Sequence, residues 1–284
     1  MRQEPMEPLA RGSLAKLLQK VMVERGLDLA QYRSRYVERR LALRLNALGI
    51  HTYSQYAAYL DRNPDEYHAL VDALTVNVTQ FFRDAQVFDL FRSEVVPTIL
   101  ARKVERHQRV VRVWSAGCAT GEEPYSLAMS LLDGIARTGI DSVVPTVIGT
   151  DLDRKAIATA KRAEYRLQQL EQIPHSDVLR YVDVGRETFT MKQQVRDMVR
   201  LRYLNLFEDS PIHGVDVIFC RNVFIYFNKT DQERLVRVFE ESLMRGGYLV
   251  LGRSERLTSD VAAAFEVVDG LQRIYRKPVR LQRD

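Results

Sequence analysis

Cysteine is nearly missing from this chain: 284 residues contain only Cys118 and Cys220. Two cysteines in apolar, strand-like surroundings cannot build a disulfide framework or a zinc site, so no metal is expected and a reducing cytoplasm is the expected setting. Apolar runs of about 18 residues, the length needed to cross a bilayer, are also absent. The first residues, MRQEPMEPLARG, carry charge and proline but no apolar stretch of a leader. The expectation is a protein neither exported nor inserted into a membrane. Charge is only mildly unbalanced, with 42 Lys+Arg against 37 Asp+Glu, a net charge of +5. That surplus suits an anionic partner surface without choosing nucleic acid. Repeats and low-complexity tracts are lacking as well. What remains, 46% hydrophobic and 28% charged residues, is ordinary for a globular chain with room for one large domain and a smaller one.

Residues 13 to 107 read as helix after helix. Leu14, Leu17, Leu18, Val21 and Met22 are spaced for one buried face ending at Gly26. A second helix over roughly 31 to 48 carries Val37, Leu41, Leu45 and Leu48 and stops at Gly49, and Asn63-Pro64 marks the next break. From Arg109 the texture changes. RVVRVWSAG, VPTVIGTD, VDVIFCRN and GGYLVLGRSE are short β-rich runs, and helical segments at 123 to 137 and 153 to 163 separate the first three. Strands alternating with helices imply a parallel sheet covered on both faces, a doubly wound α/β domain. FEVVDGLQRIYRK reads as two strands turning at Asp269-Gly270, an antiparallel pair closing the sheet edge. Between Leu179 and Leu201 alternation replaces helical spacing, which predicts a small antiparallel β insertion. The first dozen residues are expected to be loose.

In an open parallel sheet the ligand lies beyond the carboxyl ends of the strands, beside the first strand-to-helix turn. Here that turn is Ser115 to Gly121, where Gly117, Ala119 and Gly121 leave the backbone open. The spacing is neither G-x-G-x-x-G nor G-x-x-x-x-G-K-[ST]. A helix N-terminus attracts anions, so Glu122 and Glu123 placed there disfavour a pyrophosphate. Carboxylates instead suit a ligand with cationic groups and a ribose. Two plainer readings stay open: Glu122, Glu123 and Pro124 could simply start a helix, and Asp151, at the end of the second strand, could simply cap the next one. S-adenosylmethionine, with ribose, amine and sulfonium but no phosphate, meets the description.

Three segments, TVNVTQFFRD at 75 to 84, AGCATGEEPYS, and IFCRNVFIYFNKTDQE followed by GGYLVLGRSE, closely resemble the bacterial chemotaxis protein methyltransferase family CheR. The likeness runs from about residue 13 to 276. It implies a class I S-adenosylmethionine-dependent methyltransferase fold, Rossmann-like with a mostly parallel seven-stranded sheet, an N-terminal all-helical domain and a small antiparallel β insertion. The expected divisions are a helical domain at 13–76, a linker and helix at 77–108, and a methyltransferase domain at 109–278 with the β subdomain at 179–200 inside it. The implied activity is methyl transfer from S-adenosylmethionine to receptor glutamates, giving methyl esters and S-adenosyl-L-homocysteine. By the same resemblance the cofactor contacts are Asn77, Thr79, Arg83, Gly117, Glu123, Asp151, Asn205, Leu206, Asn222 and Val223, and Arg83 and Tyr226 attend the transferred methyl and its acceptor. Phe81, Phe82, Phe224, Ile225 and Phe227 are expected to pack, and Arg221 to pair with an acid structurally.

On the helix containing YRSRYVERRLALRL, Arg33, Arg40 and Arg44 share one stripe, similar to the family's basic receptor-docking helix; a merely solvated face is the alternative. The implied partner is the cytoplasmic helical bundle of chemoreceptors, with the protein in the cytoplasm at receptor arrays. VDVGRETFTMKQQ carries only Gly185 where tethered family members have several glycines, so no C-terminal pentapeptide tether is expected. Two rivals remain. An RNA methyltransferase is disfavoured by RNVFIY after the fourth strand and by the lack of a nucleic-acid motif, so no nucleic acid is expected; a non-catalytic S-adenosylmethionine-binding adaptor is disfavoured by the intact Arg83, Glu123, Asp151 and Tyr226.

Overall fold

The computed structural model describes residues 11–25, 27–74 and 77–279. The expected stop at Gly26 and the expected looseness of the first dozen residues lie wholly or mainly outside that range. The chain forms two compact units, one built from residues 1–76 with Tyr226–Asp231, the other from 77–225 with 232–284.

The first unit is helical: α1 (Arg11–Arg25), a 3-10 turn at Leu29–Gln31, α2 (Ser34–Leu48), α3 (Tyr53–Arg62) and α4 (Glu66–Leu74). Leu17 and Val21 of α1 are buried as their spacing predicts, whereas Met22 on the margin of that stripe is 41% exposed. Gly49 ends α2 in the left-handed conformation at φ 65°, which costs glycine no Cβ clash. Thr52 starts α3 by accepting from the Gln55 N–H at 3.2 Å. The unit's ionic centre is Glu66, 7% exposed. It takes a two-pronged ion pair from Arg44 and, on Oε1, the Tyr56 hydroxyl at 2.9 Å. Tyr226–Asp231 belongs to this unit through main-chain ties: the Arg33 N–H donates to the Tyr226 carbonyl at 2.8 Å, and Asn228 Nδ2 to the Ala30 carbonyl at 3.1 Å.

The second unit begins with the linker and a continuous helix, α5 (Ala85–Leu90), a π turn at Phe91–Val95, and α6 (Val96–Glu105). Pro97, near the start of α6, has no N–H to continue the ladder, and the widened turn lies immediately before it. Then follow β1 (Val110–Ala116), α7 (Glu122–Thr138), β2 (Val144–Asp151), α8 (Arg154–Arg162), β3 (Glu164–Arg166), α9 (His175–Tyr181), β4 (Val182–Val184), β5 (Thr188–Met191), α10 (Gln193–Arg196), β6 (Val199–Tyr203), β7 (Val215–Cys220), α11 (Lys229–Ser242), β8 (Leu243–Leu251), α12 (Ser259–Ala262), β9 (Glu266–Asp269) and β10 (Ile274–Arg276). Among the described residues no helix is long and apolar enough to cross a membrane.

The main sheet runs β6-β2-β1-β7-β8-β10-β9. Its first five strands are parallel, and β10 and β9 close it antiparallel, as the Asp269-Gly270 turn predicts. The central strand β7 is buried at every residue, which explains a run that is apolar apart from Asp216, whose carboxylate Lys103 Nζ pairs at 2.8 Å. Residues 77–108 pack as part of this unit because Phe88 and Phe91 meet Phe219 of β7 with ring centroids 5.9 and 5.2 Å apart.

The β insertion differs from its expected 179–200 limits. A separate sheet, β3-β5-β4, starts already at Glu164, with Tyr165 and Phe189 as its buried face, and Val199–Tyr203 leaves it to join the main sheet beside β2. The reason is physical. An edge strand with one covered face shows the same alternation as an antiparallel insertion, so β6 and the insertion share one pattern. Exposed Arg200 and Arg202 along β6 place charge on the sheet's outer edge.

Gly134, inside α7, faces Val96 of α6: a Cβ there would lie 2.4 Å from Val96 Cγ1. Gly134→Ala is therefore expected to destabilise by about 1–3 kcal/mol through overpacking, despite the better helix propensity of alanine. Urea unfolding measures this, and a stabilised variant would show that the helix pair yields freely.

Candidate active site

The switch in strand order lies between β1 and β7. β2 and β6 continue to one side of β1, while β7 and β8 continue to the other. The parallel strands therefore bring Gly117, Asp151, Asn205 and Asn222, the residues just past or at the ends of β1, β2, β6 and β7, to one edge of the sheet.

The β1–α7 turn is shaped by three positive φ values, 81° at Gly117, 46° at Ala119 and 100° at Gly121. A Cβ on Gly117 would lie 2.5 Å from Val223 Cγ2, so the bare backbone of the turn is packed against the Val223 side chain of the loop after β7. The Gly117 and Cys118 N–H groups donate to the Thr150 carbonyl at 2.8 and 3.0 Å. The Ala119 N–H donates to Asp151 Oδ2 at 2.8 Å.

The two glutamates have different roles. Glu122 is 3% exposed and points to the insertion, accepting from Thr120 Oγ1 at 2.7 Å and Gln169 Nε2 at 3.1 Å. Glu123 accepts from Ser115 Oγ at 2.7 Å and from Arg221 Nη1 at 3.4 Å, and its side chain is 14% exposed. Burial pushes both carboxyls above the usual range; for Glu123 the Arg221 guanidinium is the chief opposing influence, with Ser115 and Arg83 also acting downward. Burial likewise raises Asp151, against its bonds from the Asp153 and Ala119 N–H groups. Asp151 is not the helix cap. Asp153 caps α8, accepting the Lys155 and Ala156 N–H groups at 2.7 and 3.1 Å, and takes Asn77 Nδ2 on its other oxygen at 2.6 Å.

The linker is held through two backbone donors just before Arg83. The Phe81 N–H donates to Gln172 Oε1 at 2.9 Å and the Phe82 N–H to Ser126 Oγ at 3.0 Å. Phe82 and Asp84, on either side of Arg83, both have positive φ, 48° and 57°. Arg83 itself donates through Nη1 to the Val78 carbonyl at 2.9 Å, and Thr79 is half-buried. Asn205 uses Oδ1 to accept the Phe207 N–H at 3.1 Å, and Leu206 beside it is half-buried. Asn222, at φ 60°, donates its N–H to Glu255 Oε2 at 3.0 Å, while its own Oδ1 is buried without a partner.

The remaining expected residues lie in the helical unit. Tyr226 packs on Tyr36 with centroids 4.8 Å apart. Arg33 is exposed and donates from Nε to the Phe227 carbonyl at 3.2 Å, Arg40 lies over the Tyr36 ring at 5.6 Å, and Arg44 is engaged by Glu66. Sequence reading undervalued Arg221, Asp84 and Glu255. The cue for Arg221 was available: a charged residue directly after the buried run at 217–220 must be paired.

Two family models match, the CheR methyltransferase all-alpha domain over residues 13–75 and the CheR methyltransferase SAM binding domain over 77–274. The chain belongs to the CheR methyltransferase family. Chemotaxis protein methyltransferase 2 of Pseudomonas aeruginosa is 36% identical over 236 residues, 81% of either chain. The chemotaxis protein methyltransferase of Salmonella typhimurium is 34% identical over 259 residues, 88% of this chain and 86% of that one. The protein is thus an S-adenosylmethionine-dependent methyltransferase. Its site fits that cofactor on its own chemistry: an orphaned buried acceptor on Asn222, and the half-buried carboxylates of Glu123 and Asp151 beside a strand-to-helix turn that carries no phosphate-binding loop.

Raised carboxyl pKa values give a sign. A cationic amine binds the ionised acid, so affinity for S-adenosylhomocysteine should rise with pH through the acidic range just above ordinary carboxylate values. Glu123→Gln should flatten that rise in part, Asp151 supplying the remainder. Calorimetric titration across that range checks it, and an identical slope in both proteins would remove Glu123 from the amine's environment.

Proposed function

We propose that the protein transfers methyl groups to glutamate side chains on the cytoplasmic helical bundle of chemoreceptors, forming methyl esters, and that it does so in the cytoplasm at receptor arrays. The observation that carries this reading is family membership across nearly the whole chain together with an acid-lined, phosphate-free site in the family's cofactor domain. In this reading Asn77, Thr79, Arg83, Gly117, Glu123, Asp151, Asn205, Leu206, Asn222 and Val223 contact the cofactor, Glu123 toward its amine, Asp151 at its ribose hydroxyls, and Arg83 only at the methionine end, where it also meets the acceptor.

When bound, S-adenosylmethionine supplies a methyl group already activated by its sulfonium. A glutamate acceptor, with an ordinary pKa of about 4.3, is ionised at neutral pH, so no strong general base is required. The chain's contribution is position and exclusion of water. Reacting atoms held about 3 to 3.5 Å apart in line account for much of the acceleration, and a carboxylate stripped of hydration is the better nucleophile. Arg83 and Tyr226 orient the acceptor. Negative charge disappears from the carboxylate as the ester forms, so a grip that is too strong would favour the ground state. Arg83 therefore orients and does not act as an acid.

Docking is assigned to α2 and to Arg33, the residue just before its first turn. Exposed Arg33 is the arginine of the three best disposed to meet an acidic receptor surface, and Arg44 supports the helix from within. The single Gly185 in the β insertion favours docking without a pentapeptide tether. Arg44→Ala should then lower stability by about 3 kcal/mol, because Glu66 is left buried and unpaired. Arg33→Ala should weaken receptor binding with little change in melting temperature. Thermal melts and receptor-binding assays on both variants separate the two effects.

Radiolabelled methyl transfer into receptor-containing membranes, followed by mild alkali, tests the acceptor. The expected label enters receptor bands and leaves as methanol; alkali-stable label, or label in RNA, would refute the ester. Arg83→Ala and Tyr226→Phe should each lower kcat at least tenfold while the cofactor Kd stays within about threefold, the pattern of groups acting on the transition state.

A further inference from the structure

Arg221 has no part in the cofactor contacts assigned above, yet it is the most deeply placed cation among the site's described ion pairs. Its side chain is 1% exposed. One guanidinium nitrogen, Nη2, pairs with Asp84 of the linker; the other, Nη1, donates to Glu123 Oε2 at 3.4 Å; the plane lies 5.7 Å from the Phe88 ring. The third donor, Nε, is buried with no partner. Replacing water around a guanidinium is costly, and leaving one donor unmatched adds to that cost. An arginine kept for stability alone would be better satisfied.

The two carboxylates it joins have separate tasks. Glu123 opens α7 at the β1 turn and is otherwise fixed only by Ser115. Asp84 follows Arg83 directly and is itself at φ 57°, a left-handed conformation that aspartate tolerates better than most residues. The ion pair is a fixed point immediately after Arg83. One guanidinium thus sets both the carboxylate facing the candidate cofactor site and the backbone that presents Arg83.

We infer that Arg221 is a positioning residue that couples cofactor binding to acceptor alignment: through Nη1 it orients Glu123, and through Nη2 and Asp84 it sets the placement of Arg83. The inference rests on the assignment of Glu123 to the cofactor and of Arg83 to the acceptor. Ser115 and Arg221 bond Glu123 directly, and Arg83 and the buried thiols of Cys118 and Cys220 are near enough to interact with it electrostatically. Of these, the two arginines are the cations.

The test is a double-mutant cycle on the full chain, with S-adenosylhomocysteine affinity by calorimetry and kcat from receptor methylation. Arg221→Met should weaken binding at least tenfold and lower kcat. In a Glu123→Gln background the same change should have under threefold effect on binding, because the group it orients is gone. Asp84→Asn leaves Arg221 on Glu123, so Kd should hold within about threefold while kcat falls at least tenfold. Arg221→Lys keeps the charge without the fork and should restore binding more than turnover. Circular dichroism and melting confirm folding, and Asp84→Asn and Arg221→Lys keep the test available if Arg221→Met does not fold. Additive losses for Arg221→Met and Glu123→Gln, or equal losses of Kd and kcat in Asp84→Asn, would overturn the coupling. Unchanged affinity in Glu123→Gln alone would instead overturn the assignment of Glu123 to the cofactor, and the coupling with it.

Discussion

Carboxylates buried at the ends of parallel strands are the constraint on which this site depends. An isolated ionised acid loses several kcal/mol on leaving water, and it persists only where donors or cations replace its hydration. Three acids at the strand ends show how that demand is met. Asp151 takes main-chain N–H groups from Ala119 and Asp153, Glu255 takes those of Asn222, Ile225 and Gly252, and Glu123 takes Ser115 and Arg221. Each solution also organises a loop: Asp151 the β1 turn, Glu255 the loop after β7, Glu123 the junction with the linker. The acids are therefore part of the framework as well as the charge it displays.

This double use explains what sequence could and could not reveal. The β1 turn, the acid at the end of β2 and the closing antiparallel pair were readable because glycine, strand-end acid and Asp-Gly turn each have a local signature. Asp151 and Asp153 were not separable by sequence, since either aspartate of TDLD can cap a helix; only the N–H groups at Lys155 and Ala156 decide for Asp153. Local pattern likewise could not separate Glu122 from Glu123; only the family resemblance singled out Glu123. Successive residues in a first helical turn point about 100° apart, so one faces the insertion and the other the strand ends. Arg221 and Asp84 lie 137 residues apart, and no local pattern reports such a pairing.

The helical unit shows the same limit in another form. Heptad-like spacing on α2 correctly marks Val37, Leu41 and Leu45 as core, and it places Arg33, Arg40 and Arg44 in one stripe. Spacing cannot tell which arginine is claimed from inside. Glu66, eighteen residues beyond α2, claims Arg44, while Arg40 lies over a tyrosine ring and Arg33 stays exposed. A charged stripe is thus divided between support and surface by residues outside the helix.

Strain falls where these ties are densest. Phe82, Asp84, Ala119 and Asn222 are four of the seven non-glycine residues with positive φ among those described, and all four flank the candidate site. That conformation costs about 1–2 kcal/mol at Phe82 and at Ala119, and less at Asp84 and Asn222, whose residue types tolerate it. The backbone is tied at each of them: Ser126 on the Phe82 N–H, Arg221 on the Asp84 carboxylate, Asp151 on the Ala119 N–H, and Glu255 on the Asn222 N–H. Hydrogen bonds to charged groups contribute about 1.5–3 kcal/mol each, and the neutral Ser126 bond nearer 1, so the four are enough to offset the strain. A backbone held this way has little freedom to relax when a ligand arrives. That rigidity suits a site whose proposed work is alignment, because an acceptor carboxylate displaced by about 1 Å would lose much of the rate that positioning supplies.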